Sequence, residues 1–140
     1  VQYAHARICS VLREAGGAWE GSVRPAAAPG PESPVVAFAP LPPPASMAGL
    51  EAAEAQDLLF QLAGLPEAVR TSRREGMATA LARQLLAVAR AFSGFYTNCP
   101  VLVASNAPEV REARLALCTA TARALRQGLF LMGIQAPEEM

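Results

Sequence analysis

Residues 108–132 read PEVREARLALCTATARALRQGLFLM. Within them Leu115, Cys118, Ala122, Leu125, Leu129 and Met132 recur at three- and four-residue steps, the spacing that collects side chains on one face of an α-helix. Pro108 falls in the first turn, where a missing amide hydrogen is no loss, and Gly133 follows as a stop. Working outward, Met77, Leu81, Leu85, Val88, Phe92 and Phe95 keep the same rhythm and predict a helix over Gly76 to Thr97, closed by Asn98, Cys99 and Pro100. Val101 to Val103 is apolar but short, and Ser105, Asn106 and Pro108 mark it as loop. Ser46 is placed to cap a further helix over Ala48 to Leu62, broken by Gly64 and Pro66. Ala4, Ile8, Val11, Leu12 and Ala15 predict a first helix over Gln2 to Ala15, stopped by Gly16 and Gly17. No stretch alternates with period two for long. The expected fold class is all-α: an antiparallel helical bundle of four to five helices with a Pro-rich connecting loop.

That loop is Gly21 to Ser46, where eight of the 12 prolines lie between Pro25 and Pro44 among alanine and glycine. Proline has no amide donor and cannot continue a helix, so the segment is expected to be an extended or disordered connection. Pro31 and Pro34, and Pro40 and Pro43, have the spacing of a PxxP ligand, a second and weaker use for the same stretch. The chain's 140 residues are one domain's worth, and folding at that length buries roughly 68% of the unfolded surface, enough for a core without disulfides or metal. The apolar runs fall far short of the roughly 20 residues a membrane span requires, so no membrane partner is expected.

Twelve Asp plus Glu balance 12 basic residues to a formal net charge of zero, which on its face argues against nucleic acid. The balance hides an asymmetry. Pro25 to Val69 holds five acids and no base, whereas Arg70 to Arg126 holds nine arginines against Glu75, Glu109 and Glu112. A surplus of that kind over the last two helices suits phosphates; a solvated face laced with ion pairs accounts for it equally well. All the basic residues are arginine, whose planar fork suits phosphates and base edges, although alanine at 30 positions also points to compositional bias.

Chemistry-bearing clusters are few. Cys9, Cys99 and Cys118 are odd in number and far apart, which suggests neither a disulfide framework nor a zinc ribbon and fits a reducing cytoplasm. His5 and Cys9 share a helix face one turn apart and could enter a Cys3His zinc site or a nucleophile pair; the favoured expectation is a packed or hydrogen-bonded histidine beside ordinary buried thiols. Glu51, Glu54 and Asp57 are expected to be solubilising charges. No phosphate loop, dinucleotide turn, zinc-protease helix or nucleophile elbow is present. Val1 opens with helix-like sequence already under way and no leader features, so the chain reads as a piece of something longer.

Four stretches stand in a shared order: the opening Val1-Gln2-Tyr3-Ala4-His5-Ala6-Arg7-Ile8, then Leu65-Pro66-Glu67-Ala68-Val69, then Phe92-Ser93-Gly94-Phe95-Tyr96-Thr97-Asn98-Cys99-Pro100, and finally Glu112-Ala113-Arg114-Leu115-Ala116-Leu117 through to Ala136-Pro137-Glu138-Glu139-Met140. Together they resemble the C-terminal anticodon-binding module of arginyl-tRNA synthetases, the all-helical DALR domain, over nearly the whole chain, residues 1–140. The resemblance implies a domain that binds the anticodon stem-loop of tRNA(Arg) and positions it for a catalytic domain. That domain's HIGH-type and KMSK-type motifs are absent here, so this chain is not expected to aminoacylate tRNA by itself. ATP and magnesium would belong to the catalytic domain, and no cofactor is expected in this one.

Carried over by position, the resemblance implies an anticodon-contacting set of Tyr3, Arg7, Tyr96, Asn98 and Met140. Tyr3 and Arg7 are four apart and share a helix face, which either meets RNA or packs on the catalytic domain. Tyr96 either stacks on a splayed-out base with its hydroxyl in water or follows Phe92 and Phe95 into the core. Two departures stand out. The Pro-rich link replaces a more usual leucine- and acid-containing one, and Glu139 stands where the family often ends Pro-Glu-Arg-Met, exchanging a possible phosphate contact for repulsion. The alternative from another class is a protein-interaction bundle using the Pro-rich loop and an apolar helix face.

Overall fold

The computed structural model describes residues 1–26, 37–40 and 43–140. Five α-helices form an antiparallel bundle: α1 Gln2–Ala15, α2 Ala53–Ala63, α3 Leu65–Glu75, α4 Thr79–Asn98 and α5 Pro108–Leu131, with one 3-10 turn at Gly17–Trp19. Helix α4 is central, packing against each of the others, and α1 lies chiefly on α5. The periodic residues are the core: Ile8, Leu58, Leu85, Val88, Phe95, Cys118, Ala122 and Leu125 have no exposed surface. Among the described residues no helix is long and apolar enough to cross a membrane.

Three boundaries differ from expectation, and one is that the helix expected from Gly76 begins at Thr79, since Gly76, at φ +66°, is the left-handed stop of α3. The second helix begins at Ala53, not Ala48, because Gly49 sits at φ +85°, a left-handed conformation incompatible with a helix start. Ser46 Oγ instead accepts the Ala48 amide in a turn, and Gln56 Nε2 donates to the Leu50 carbonyl to close it. Pro66 does not end helical structure; it starts a helix that the sequence left unassigned. A proline in a first turn removes an amide with no helical acceptor, so α3 runs on to Glu75 while Gln84 Nε2 of α4 donates 2.8 Å to the Gln61 carbonyl beside the break. The Pro31 and Pro34 pair lies outside the described residues. What is described of the Pro-rich stretch is held to α5 by Arg123, whose guanidinium donates to the Ser22 and Ala39 carbonyls and lies over the Phe38 ring.

Gly128 is a close-approach position on α5: a Cβ there would stand 2.4 Å from Leu85 Cδ2, and Leu85 is fully buried with no room to retreat. Gly128→Val is expected to overpack the α4–α5 contact and destabilise the fold by about 2 kcal/mol, read as a lower urea midpoint, with Leu85→Ala in the same chain restoring part of the loss.

Candidate nucleic-acid interface

The first helix is amphipathic in an unusual sense. Its apolar residues Ile8, Val11 and Leu12 enter the core, while Gln2, His5 and Arg13 grip the chain's own C-terminal residues. Beyond Gly133 the tail has no regular secondary structure, so its backbone groups need outside partners. Gln2 Nε2 donates 2.8 Å to the Gln135 carbonyl, and His5 Nδ1–H donates 2.8 Å to the Pro137 carbonyl. Arg13 pairs with the Glu139 carboxylate and reaches the Glu138 carbonyl. From the other side Arg126 and Arg24 pair with the Glu138 carboxylate at 3.1 and 3.3 Å. The tail therefore runs along α1 in the helix's own direction, from Gln2 to Arg13, and ends at Met140, the residue after the Glu139 that Arg13 holds.

An open cleft of about 360 Å³ results, lined by Tyr3, Ala6, Arg7, Ser10, Arg13, Glu139 and Met140. Three of the five expected contact residues line it. Tyr3 and Met140 are freely presented, 68% and 80% exposed. Tyr96 joins through Arg7, whose Nη2 donates 3.1 Å to the Tyr96 hydroxyl while its guanidinium lies 5.0 Å over the ring. The ring also meets Phe92 at 5.9 Å between centroids, so Tyr96 is half-buried, between the two sequence expectations. Its hydroxyl accepts the Arg7 bond at an exposed position, and the guanidinium lies over one ring face. Asn98 is not gathered in: its amide nitrogen donates back to the Gly94 carbonyl, 3.0 Å away in its own helix, and it does not line the cleft.

Sequence reasoning passed over Arg13 and Ser10, and took Glu139 for an uncompensated anion, whereas Arg13 neutralises it. The signal was available in the polar stripe Gln2, His5, Cys9 and Arg13, at steps of three, four and four on a helix whose next stripe is apolar. The arginine surplus is also partly committed. Arg114 donates to the Gly49 and Pro100 carbonyls, Arg123 to Ser22 and Ala39, and Arg126 to Val23 and Glu138. Among the described residues no ion pair forms at Arg73, Arg83, Arg90 or Arg111, which remain exposed.

The His5 and Cys9 pair is not a nucleophile site. Burial pushes the Cys9 thiol up to about 11 and Cys118 up to about 12, opposite to what thiolate chemistry requires. His5 is fully buried, its ring spoken for by Pro137, and Cys9 Sγ lies 3.7 Å from Nδ1. No three His, Cys, Asp or Glu side chains converge as metal ligands among the described residues.

A bundle whose tail returns to its first helix and gathers an exposed aromatic ring, guanidinium groups and a thioether at one end belongs in class with the all-helical anticodon-binding modules. A family model described as "DALR anticodon binding domain" matches residues 1–140, and the chain belongs to that family. Similar curated proteins are arginine–tRNA ligases: those of Chloroflexus aurantiacus and Frankia casuarinae are each 41% identical over 140 residues, all of this chain and 21% and 20% of theirs. Among solved structures the arginyl-tRNA synthetase of Thermus thermophilus is similar, with a TM-score of 0.69 and 31% identity over 99% of this chain and 20% of that one. The chain thus spans about a fifth of the length of the relatives it matches.

The clasp makes stability depend on pH in a defined direction. Burial lowers the His5 pKa below 6.5, helped by the Arg126 charge and opposed by the Pro137 hydrogen bond and Glu138. For Glu138 burial opposes the charge, but the hydrogen bonds and charges of Arg126 and Arg24 prevail and hold its carboxyl below 4.5. Both folded-state values are depressed. The His5 contribution is complete above pH 6.5 and fades as the pH falls toward its folded value; that of Glu138 is complete above 4.5 and is lost below it. Urea midpoints are expected to be level above pH 7 and to decline in two stages on acidification. His5→Asn should abolish the upper stage, since His5 is the single histidine of the chain.

Proposed function

We propose that this domain holds the anticodon stem-loop of an arginine tRNA and so orients the distant acceptor end toward a catalytic domain that performs ATP-dependent aminoacylation. The observation that carries the proposal is the convergence of Tyr3, Arg7 and Met140 on one open cleft in a chain of the DALR family. Unpaired loop bases offer both ring faces and Watson–Crick edges, and each side chain suits one of them. The exposed Tyr3 ring takes a base by stacking. Arg7, already seated over Tyr96, presents its outer plane to a base or its donors to a phosphate. Met140, unbranched and polarizable, moulds to a base face. Asn98, its amide nitrogen turned inward, contributes its carboxamide oxygen. ATP and magnesium are assigned to the catalytic domain, and the work to the cytoplasm, where the free thiols of Cys9, Cys99 and Cys118 stay reduced.

Binding of the chain to a fluorescent anticodon stem-loop of an arginine tRNA tests the proposal. Affinity should fall with salt at a slope of about −0.7 per neutralised phosphate. Tyr3→Ala should weaken binding by about 1–3 kcal/mol while shifting stability by less than about 0.5 kcal/mol, because the ring is largely in solvent. Binding that ignores salt, or binding of a Pro-rich-loop partner with no RNA affinity, overturns it.

A further inference from the structure

Five of the cleft's seven lining residues belong to α1, and the other two, Glu139 and Met140, to the irregular tail. Gln2 and Arg13, the outer anchors, are 11 steps apart on α1, about 16 Å at 1.5 Å per residue. Their partners Gln135 and Glu139 are four steps apart, about 13 Å when extended. The tail is the shorter of the two and must lie extended, so a slip of one tail residue would displace Met140 by about 3 Å. The outer anchors are solvent-exposed and loose: the side chains of Arg13 and Glu139 are 37% and 77% exposed. His5 is different. It is fully buried, sits between the outer anchors, and its partner is the carbonyl of Pro137, a residue with no amide hydrogen, whose carbonyl is therefore its one backbone hydrogen-bonding group.

We propose, resting on the anticodon-domain function above, that His5 is a positioning residue of the RNA site: its Nδ1–H bond to the Pro137 carbonyl sets the register of the tail on α1 and thereby places Met140 in the cleft that Tyr3 and Arg7 also line. His5 touches no RNA. Its imidazole does what a lysine or arginine in that place does not, filling a buried apolar slot while giving one fixed donor. Glu138, paired with Arg126 and Arg24, holds the tail from the opposite side.

Asparagine places its amide nitrogen near the Nδ1 position, glutamine near Nε2, and leucine fills the slot with no donor, so His5→Asn, His5→Gln and His5→Leu separate the bond from the bulk. Two readouts are taken on the full chain: release of Met140 by carboxypeptidase, and affinity for the anticodon stem-loop of an arginine tRNA. H5L and H5Q should speed Met140 release and weaken RNA binding by about tenfold, the scale of one lost base contact, whereas H5N should stay close to the unaltered chain in both. In a Met140→Ala background the RNA effect of H5L should vanish, because the residue being positioned is gone. Should H5L lose helical content, the H5Q against H5N comparison carries the test alone. Equal behaviour of H5Q and H5N, an unchanged affinity once the tail is released, or the same H5L penalty with and without Met140 overturns the inference. Failure of the unaltered chain to bind RNA overturns the function on which it rests, and the release assay still decides whether His5 holds the tail.

Discussion

Helix α4 is in contact with every other helix, and the burial of its Leu85, Val88, Phe92 and Phe95 is the constraint from which the rest follows. A close approach of α4 to α5 depends on the absent side chain of Gly128. With α2, α3 and α5 all packed on α4, α1 lies chiefly against α5, and its Arg7 reaches Tyr96 of α4. The Arg7 to Tyr96 contact is the point where that packing becomes chemistry: a guanidinium from the first helix and a ring from the fourth lock each other's orientation at the edge of the cleft.

The irregular segments are fixed by a different force. Many loop carbonyls are met by arginines on the helices: Arg114 at Gly49 and Pro100, Arg123 at Ser22 and Ala39, Arg126 at Val23. Each brings several donors on a stem long enough to cross from a helix to a neighbouring loop. The basic surplus of α3 to α5 is therefore divided. Part of it is internal scaffolding, and part, at Arg73, Arg83, Arg90 and Arg111, stays exposed and sets the positive field of that surface. A net charge of zero conceals both uses.

Most of the fold was legible because helix periodicity is a local property. The apolar series of α1, α4 and α5 needed no knowledge of their neighbours, and α5 begins at Pro108 as its spacing requires. The errors came where a single residue type has two structural uses. Pro66 breaks a helix interior but begins a helix well, and only the continuation to Glu75 reveals which applies. Gly49 fits a helix in principle, yet its left-handed backbone ended one before it started. Of the candidate site, Tyr3, Arg7 and Met140 were named by family resemblance and do line one cleft, whereas Asn98 is turned into its own helix.

By itself, then, the sequence determined the long helices α1, α4 and α5, their buried faces, the family and the residue types available for an RNA contact, since all of these depend on neighbours within a few positions or on ordered motifs. It could not determine that residues more than 130 positions apart would be bonded, as His5 and Pro137 are. Nor could it determine that Arg13 would cancel Glu139, or that Arg7 would cover the ring of Tyr96. Those pairings join segments with no mutual signature in the chain, and packing the bundle around α4 is what brings them within hydrogen-bonding reach.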